Sequence, residues 1–201
     1  MTFSIVARCT RTDQLGMAVS SSSPAVAARC AHAKAGVGVV ASQNITDPRL
    51  GPKTLLAMAE GHSAPEAVKM IINASKNADF RQLLAVDARG NAAIYSGSKS
   101  LGTHADFASH NAAAAGNLLA NPTIPEAMVT AFHQGTGHLG DRLIDAMRAA
   151  LALGGEAGAL HSAGLLLVGE QEWPMADLRC DWTEDCPIEA VAAAWHIYKP
   201  Q

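Results

Sequence analysis

Thr2 is the residue whose type and position most clearly predict chemistry. It follows Met1 directly, and a small residue in second position is compatible with removal of an initiator methionine. Removal would leave Thr2 with a free α-amine beside its own hydroxyl, and an amine with an unperturbed pKa of about 8 can accept the hydroxyl proton near neutral pH. The position therefore predicts a threonine nucleophile for the hydrolysis of an amide bond.

Two asparagines are candidates for stabilising the intermediate of such a reaction. Asn44 and Asn117 each lie at the end of a run of small residues that is typical of a strand. Their side-chain amides could donate hydrogen bonds to the oxyanion of a tetrahedral intermediate, which is worth about 3 kcal/mol per donor. The alternative is that both amides only cap turns at strand ends.

A run of four serines, residues 20–23, ends the second predicted strand. The run joins strands of the same unit as Thr2, so it can lie beside the N-terminus. Ser21 and Ser22 are therefore candidates for lining a substrate pocket. The alternative is a solvated loop with no role in binding.

Metal binding is not predicted. His104, Asp106 and His110 lie in a polar stretch, residues 98–110, that is predicted to be irregular, and their spacing fits neither a helix nor a strand. We interpret them as solvated residues at the rim of a site. The chain also has four cysteines, without the Cys-x-x-Cys spacing of zinc or redox sites, which is typical of buried thiols in a reducing compartment. We expect neither a metal nor a cofactor.

Composition restricts the class of protein and of ligand. The chain has 201 residues, 49% of them apolar but only 4% aromatic, so a single domain spanning residues 1–201 with a core of Ala, Val, Leu and Ile is predicted. The formal net charge is −3 and the basic residues are scattered, which argues against nucleic acid and membrane surfaces as partners and favours a small-molecule substrate. No signal peptide or run of about 20 apolar residues is recognisable, so a cytoplasmic location is expected.

The hydrophobic patterns predict groups of strands separated by pairs of helices. Strands are predicted over residues 3–9, 15–20, 37–43, 81–87, 92–97, 112–117, 163–168 and 175–180. Helices are predicted over residues 55–61, 63–72, 122–132, 140–153 and 187–198. Ser63, followed by Pro65 and Glu66, is the clearest N-cap.

This order does not fit an alternating parallel βαβ sheet. It favours an α+β fold in which two mostly antiparallel sheets pack face to face, with a pair of helices on each outer face. The predicted fold class is therefore a four-layer αββα sandwich.

Several segments together resemble one protein family over nearly the whole chain. They are residues 2–7, residues 18–23, residues 35–40 with Gln43, residues 81–82 and 86–87, Gly116-Asn117, and Ser162-Ala163. The family is an uncharacterised bacterial and archaeal group of the N-terminal nucleophile (Ntn) hydrolase superfamily, to which proteasome subunits also belong. The resemblance implies the αββα fold and a hydrolytic site at the N-terminus.

The resemblance also implies roles for further residues. Lys34 is similar in position to the active-site lysine of the proteasome, and its ammonium would lower the pKa of the Thr2 amine by repulsion between like charges. Gln43 and Ser162 are implied as substrate-binding residues. The chain departs from the family after residues 154–155, where an Asp and an Arg-Gly pair are usual and Glu156 to His161 stand instead.

Two functions of different classes follow. The first is an amidohydrolase that cleaves a small amide or amino-acid derivative with Thr2 as nucleophile. The second is a catalytically silent protein that keeps the fold and binds a small molecule or a partner. In either case the Ala-rich helical segments 146–153 and 190–195 offer flat surfaces, so a homodimer or larger homo-oligomer is expected.

Overall fold

A computed structural model describes residues 1–199 of the chain. Its strands are β1 (Thr2–Arg8), β2 (Leu15–Ser21), β3 (Ala31–Lys34), β4 (Gly38–Asn44), β5 (Arg81–Asp87), β6 (Ala92–Ser96), β7 (Ala105–Ser109), β8 (Ala112–Asn117), β9 (Ser162–Val168) and β10 (Ala176–Cys180). Its α-helices are α1 (Ala27–Cys30), α2 (Leu50–Ala59), α3 (Ala64–Asn73), α4 (Ile124–Gln134), α5 (Leu139–Ala152) and α6 (Pro187–Tyr198), and a short 3₁₀ helix spans Ala78–Phe80.

The strands form two antiparallel sheets. One has six strands in the order β10-β9-β2-β1-β8-β7, and the other has four in the order β3-β4-β5-β6. Strand β1 lies inside the larger sheet, between β2 and β8, because its residues are buried on both faces and both backbone edges find partners. The start of the chain is thus fixed from two sides.

Three apolar layers hold the sheets and helices together. Alternate residues of β1, such as Phe3 and Ile5, point to the outer face of the larger sheet and pack against α4, α5 and α6. The intervening residues, such as Val6, point to the facing sheet and form an inter-sheet layer with residues such as Met17 and Val86. On the far side, the smaller sheet packs against α2 and α3. The predicted four-layer αββα sandwich is confirmed.

Two helix starts, those of α3 and α6, follow the predicted signals, whereas α2 begins at Leu50, before the predicted residue 55. Ser63 precedes α3, and its backbone N–H donates to the Glu66 carboxylate at 2.8 Å, so the predicted N-cap carries the capping-box hydrogen bond. Helix α6 spans the predicted residues 187–198 and begins with Pro187, whose missing N–H costs nothing in the first turn. None of the helices in residues 1–199 is long and apolar enough to cross a bilayer.

Two strands were not predicted. Strand β3 lies in the small-residue segment before Gly36, and β7 lies in the stretch 98–110 that was predicted to be irregular. Both are short edge strands rich in alanine, which has little strand propensity, so pairing with β4 and β8 rather than local preference forms them. A third difference is that the larger sheet carries three helices on its outer face, not a pair.

Candidate functional site

At one end of the sandwich the inter-sheet layer changes from apolar to polar. We call this region the polar end; its inward-facing side chains are Thr2, Ser4, Ser21, Gln43, Gln82, Ser96, Asn117 and Ser162. They come from seven different strands, and antiparallel pairing in register brings them to the same level. All except Ser96 are buried, so their hydrogen bonds must be made within the protein.

Thr2 lies at the outer edge of the polar end. It is 6% exposed and is paired in register with Asn117 of β8. Its hydroxyl lies 2.5 Å from the carbonyl oxygen of Met1 and 3.2 Å from the hydroxyl oxygen of Ser21. The Ser21 hydroxyl also donates to the Met1 carbonyl oxygen. Two hydroxyls therefore converge on one amide carbonyl, and each has a single hydrogen to donate.

Ser162 fixes the serine-rich segment to β9. Its hydroxyl donates to the Ser23 carbonyl at 2.6 Å and accepts from the Val26 backbone N–H at 3.2 Å. The Ser20 hydroxyl donates in turn to the Ser162 carbonyl at 2.9 Å. The structure thus brings Ser162 close to the site, where it fixes the segment that follows Ser21.

Gln43 and Gln82 form a buried network behind Thr2. Gln43 accepts from the Ser4 hydroxyl at 2.6 Å, and its amide donates to Gln82 at 3.2 Å and to the Ala115 carbonyl at 3.1 Å. Gln82 also accepts from the Asn117 amide at 3.0 Å. Since both amide hydrogens of Gln43 are used inside the protein, its side chain supports the site from within.

The two asparagines of the prediction occupy different places. Asn117 faces Thr2, and the bond to Gln82 uses one of its two amide hydrogens. Asn44 follows Gln43 and therefore points away from the inter-sheet layer. Its amide donates to the Phe80 carbonyl at 2.6 Å and its oxygen accepts from the Leu101 N–H at 3.2 Å. The structure brings Asn117 to Thr2 but leaves Asn44 in the turn-capping role.

Lys34 is not near Thr2. It pairs with Gly38, at the end of β4 opposite Gln43, and its exposed side chain lines a cleft with Thr12 and Asp13 of the turn between β1 and β2. That turn is separated from Thr2 by the length of β1, about 20 Å for seven residues. The expectation that Lys34 acts on the Thr2 amine is therefore corrected. Lys34 was predicted near Thr2 because it precedes the third predicted strand in the sequence. In the structure it is the last residue of β3 and pairs with Gly38, at the end of β4 that lies away from Thr2.

Glu156 is the residue that the sequence did not single out. Gly154 and Gly155 adopt left-handed backbone angles (φ of 98° and 59°) after α5 and turn the chain inward. The following loop is held to the end of β8 by backbone hydrogen bonds of 2.8 Å from Ala157 to Leu118 and 2.9 Å from Ala120 to Gly155. Glu156 is consequently only 3% exposed.

The Glu156 carboxyl is buried without a normal hydrogen-bond partner. Among residues 1–199, no donor reaches either oxygen in regular hydrogen-bond geometry. Burial raises the pKa of Glu156 to about 7, against the opposing effects of the Ser22 hydroxyl and N–H, the Met1 ammonium and His161. Ser22, predicted to line the pocket, thus lies beside this carboxyl. The signal for Glu156 in the sequence was its position directly after two glycines, which allow a tight turn of the chain.

Met1 fills the space in front of Thr2. A Cβ atom at Gly158 would lie 2.9 Å from the terminal methyl carbon of Met1, so the Met1 side chain rests on the 156–161 loop. The Met1 carbonyl is bound by the Thr2 and Ser21 hydroxyls, and its ammonium acts on Glu156. Met1 therefore contacts the Thr2 and Ser21 hydroxyls and the 156–161 loop, and its ammonium interacts with Glu156 through space.

An aromatic pair borders the same space. The His161 ring stacks on Trp182 with centroids 4.2 Å apart and planes 12° from parallel. The His161 N–H donates to the Ser21 carbonyl at 2.9 Å, and its ring Nδ1 lies 2.8 Å from the Thr183 carbonyl oxygen, which assigns the Nδ1–H tautomer. Trp182 is 51% exposed and forms the outer rim.

Other parts of the described chain lack a comparable group of polar side chains. Within residues 1–199, no three His, Cys, Asp or Glu side chains converge as metal ligands, and His104 to His110 run along the exposed edge strand β7. A cleft of about 490 Å³ between α5 and α6 and one of about 660 Å³ beside Lys34 contain none of the polar-end residues. The polar end thus has the only converging nucleophile and buried carboxyl that we find in the described residues.

Comparison with known proteins decides the family. Residues 2–191 match the family described as "Family of unknown function (DUF1028)". The chain belongs to this family. A crystal structure of another member, protein SPO2555 from Silicibacter pomeroyi, is 29% identical, covers 98% of this chain and 88% of its own, and superposes with a TM-score of 0.90. The family fold is thus the one described above.

Two further solved structures are less similar to this chain in sequence and in fold. Anbu (ancestral beta-subunit) from Yersinia bercovieri is 13% identical over 97% of this chain and 93% of its own, with a TM-score of 0.44. An Anbu mutant from Hyphomicrobium sp. strain MC1 is 11% identical over 100% of this chain and 96% of its own, with a TM-score of 0.48. At such TM-scores these superpositions do not locate a site in the DUF1028 chain. No curated protein matches the sequence.

Proposed function

We propose that this DUF1028 protein is an amidohydrolase whose nucleophile is the hydroxyl of Thr2, made N-terminal by removal of Met1. One observation carries the proposal: the buried Thr2 hydroxyl already lies 2.5 Å from the oxygen of an amide carbonyl, that of Met1, with the Ser21 hydroxyl on the same oxygen. A substrate amide in the place of Met1 would meet the same two hydroxyls.

The reaction follows from these groups. The Thr2 hydroxyl oxygen attacks the substrate carbonyl carbon, and its proton passes to the free α-amine of Thr2. Collapse of the tetrahedral intermediate breaks the C–N bond, and the amine returns the proton to the leaving nitrogen. Water then attacks the threonyl ester, again with the α-amine as base, and releases the acid and the free hydroxyl.

We assign two donors to the oxyanion. The Ser21 hydroxyl donates to the carbonyl oxygen that occupies this position now, and the second amide hydrogen of Asn117 is next to Thr2 across the β1–β8 pair. Removing one such donor typically slows turnover about 100- to 1,000-fold. Asn44 has no part in this arrangement, because its amide is used on the Phe80 carbonyl.

A catalytically silent binding protein is the second candidate, and the position of Lys34 favours it. The ammonium that was expected to lower the pKa of the Thr2 amine lies at the opposite end of β1. Without it, the amine must act as base with its ordinary pKa, which still suffices near pH 8. The silent protein would bind at the polar end without turnover.

Labelling with an electrophile tests the proposal without knowledge of the substrate. Intact-mass measurement first identifies protein that has lost Met1. Treatment of that protein with a β-lactone or an α,β-epoxyketone should give one adduct per chain, mapped by peptide sequencing to Thr2, because the epoxyketone also captures the free amine in a ring. Protein that retains Met1 should not react.

Two controls make the labelling decisive. The exposed Thr10, at the far end of β1, has a hydroxyl but no free amine and should stay unlabelled. The Thr2→Ala variant, which also permits Met1 removal, should give no adduct. Failure of several small probes to label verified Met1-free protein would reject the hydrolase in favour of the binding protein, and labelling at Ser21 would move the nucleophile to the serine-rich segment.

Self-association and a cytoplasmic location are further parts of the proposal. The α5 alanines Ala146 and Ala150 are buried against the larger sheet, whereas α6 exposes Ala190, Ala194 and the 69% exposed Ile197 on one face. That α6 face supports a homodimer. All four cysteines are free thiols, which fits a reducing compartment. A light-scattering mass near the chain mass of 20.8 kDa at micromolar concentration would reject the dimer.

A further inference from the structure

Met1 is held in front of Thr2 by contacts of its carbonyl oxygen and its side chain. Its carbonyl oxygen accepts from the Thr2 and Ser21 hydroxyls, and its methyl group lies over Gly158. Its ammonium attracts the Glu156 carboxylate through space and acts against the raised pKa of that carboxyl. A residue bound through carbonyl, side chain and ammonium is bound as an amino acid would be.

The burial of the Glu156 carboxyl needs an explanation. The Glu156 carboxyl is 97% buried, the Ser22 hydroxyl and N–H lie beside it, and neither of its oxygens has a hydrogen bond of regular geometry to residues 1–199. Ionising such a carboxyl is costly unless a cation joins it. The Met1 ammonium attracts this carboxyl. When Met1 leaves, the carboxyl loses this neighbouring charge.

We propose that the space vacated by Met1 is a subsite for substrates with a free, positively charged α-amine, and that Glu156 binds this amine. The substrate class is then small amides of unblocked amino acids with an unbranched apolar side chain. This inference rests on the proposed amidohydrolase function, whose substrate it specifies.

Each part of such a substrate has a counterpart in the structure. The scissile carbonyl takes the position of the Met1 carbonyl, within reach of the Thr2 and Ser21 hydroxyls. The ammonium takes the position beside Glu156, which supplies the missing partner of that carboxyl. The side chain lies over Gly158, where a Cβ atom would come 2.9 Å from a methyl group in the Met1 position. An N-acylated amino acid has no charge for Glu156 and adds bulk there.

Binding rather than turnover tests the subsite. The protein is the Met1-free Thr2→Ala chain, which cannot form the acyl-enzyme, and the probes are L-methionine amide and N-acetyl-L-methionine amide, compared by calorimetry at pH 7. L-methionine amide should bind at least tenfold more tightly than its acetylated form. Glu156→Gln in the same chain should weaken L-methionine amide about thirtyfold, as expected for removing one partner of a buried ion pair, and change the acetylated ligand less than twofold.

Two further variants keep the test sharp. Gly158→Val should weaken both ligands about equally, because it fills the side-chain position and leaves the carboxyl in place. Protein that retains Met1 should bind neither ligand, since its own first residue fills the subsite. Thermal unfolding of each variant shows that loss of binding is not loss of the fold.

The outcomes separate the subsite from the reaction. Equal affinity for the two amides, or an undiminished preference in the Glu156→Gln chain, overturns the subsite. Selective binding by the Thr2→Ala chain without hydrolysis of L-methionine amide by Met1-free wild-type protein leaves the subsite standing and overturns the amidohydrolase. Hydrolysis of the acetylated amide alone overturns the subsite and supports the nucleophile.

Discussion

The two ends of the inter-sheet layer are built from the same strands but have opposite character. At the polar end the facing side chains include Ser4 and Gln82, which bond through Gln43. Two residues further along the same strands, on the same face, Val6 and Leu84 are buried among apolar neighbours. A step of two residues, about 7 Å, thus separates a hydrogen-bonded network from an ordinary core.

The difference shows where the protein keeps polar groups at a cost to stability. Buried amides and hydroxyls stabilise less than apolar side chains of similar size and are costly when a partner is missing. The network at the polar end is satisfied, and it holds Asn117 beside Thr2, whereas Glu156 at the same end is left without a normal partner. We interpret the apolar end as stabilising the fold and the polar end as preparing a site. Four substitutions test this division.

The largest effect is expected from Thr2→Ala at the polar end. Turnover of any amide substrate should fall at least about 1,000-fold, because the attacking oxygen is gone. The free energy of unfolding should change by less than about 1 kcal/mol, since Thr2 lies at the chain end and contributes little volume to the core. Paired measurements of kcat and urea unfolding check both. Unchanged turnover would show that the polar end has no nucleophile at Thr2.

Met17→Ala at the apolar end should show the reverse behaviour. Met17 is fully buried in the inter-sheet layer, so the substitution should destabilise the protein by about 3 kcal/mol through lost burial and a cavity. The folded fraction should keep turnover within about threefold of wild type. Urea unfolding, with activity measured well below the transition, decides the matter. A large loss of activity in the folded state would show that the apolar end also contributes to function.

A smaller and pH-dependent effect is expected from Glu156→Gln. Burial raises the pKa of Glu156 from 4.5 to about 7, so folding favours the protonated form. Its contribution to stability is full below about pH 4.5 and is lost as pH rises through 7, because the unfolded chain then binds fewer protons than the native one. Glu156→Gln should therefore exceed wild type in stability by the order of 2 kcal/mol at pH 8 and equal it at pH 4.5.

Unfolding free energies across this range test the sign directly. The Met1 ammonium acts against the raised pKa only by attracting the ionised carboxylate, so its effect is absent from the Glu156→Gln variant and is already contained in the wild-type pKa of about 7. A variant that is less stable than wild type at pH 8 would mean that Glu156 has a charged partner in solution.

The smallest effect is expected from Lys34→Ala. The side chain is exposed at the far end of the molecule, so stability should change by less than about 0.5 kcal/mol and kcat/KM by less than twofold. The pH dependence of kcat/KM should also stay the same. A shift of its lower limb towards higher pH in the variant would restore Lys34 as a cation acting on the Thr2 amine.

Local signals in the sequence were sufficient for most of the fold. Alternation over residues 3–9 and 15–20 predicted the hairpin of β1 and β2, and Ser63 with Glu66 predicted the start of α3, because these features depend on neighbours in the chain. Strands β3 and β7 were missed because their alanine-rich sequences form strands only through pairing with β4 and β8.

Only those parts of the site that lie within one hairpin were predictable from the sequence. Thr2 and Ser21 lie on paired strands of one hairpin, so the sequence alone placed them together. Lys34 was misplaced because the turn at Gly36 joins β3 and β4 in a hairpin that was not predicted. Glu156 was overlooked because its burial requires the turn at Gly154 and Gly155 to dock on the end of β8, about 40 residues earlier in the chain.

The central position of β1 also sets the order of events during synthesis. Strand β1 gains both of its neighbours in the sheet only after β8, which ends at Asn117, has been made. At about 5–20 residues per second, synthesis from Thr2 to Asn117 takes about 6 to 23 s. Until then the first residues stay accessible to a methionine aminopeptidase, and afterwards Thr2 is 6% exposed. Folded protein that still carries Met1 should therefore resist the aminopeptidase in vitro, whereas the same chain in urea, diluted into the enzyme as it refolds, should lose Met1.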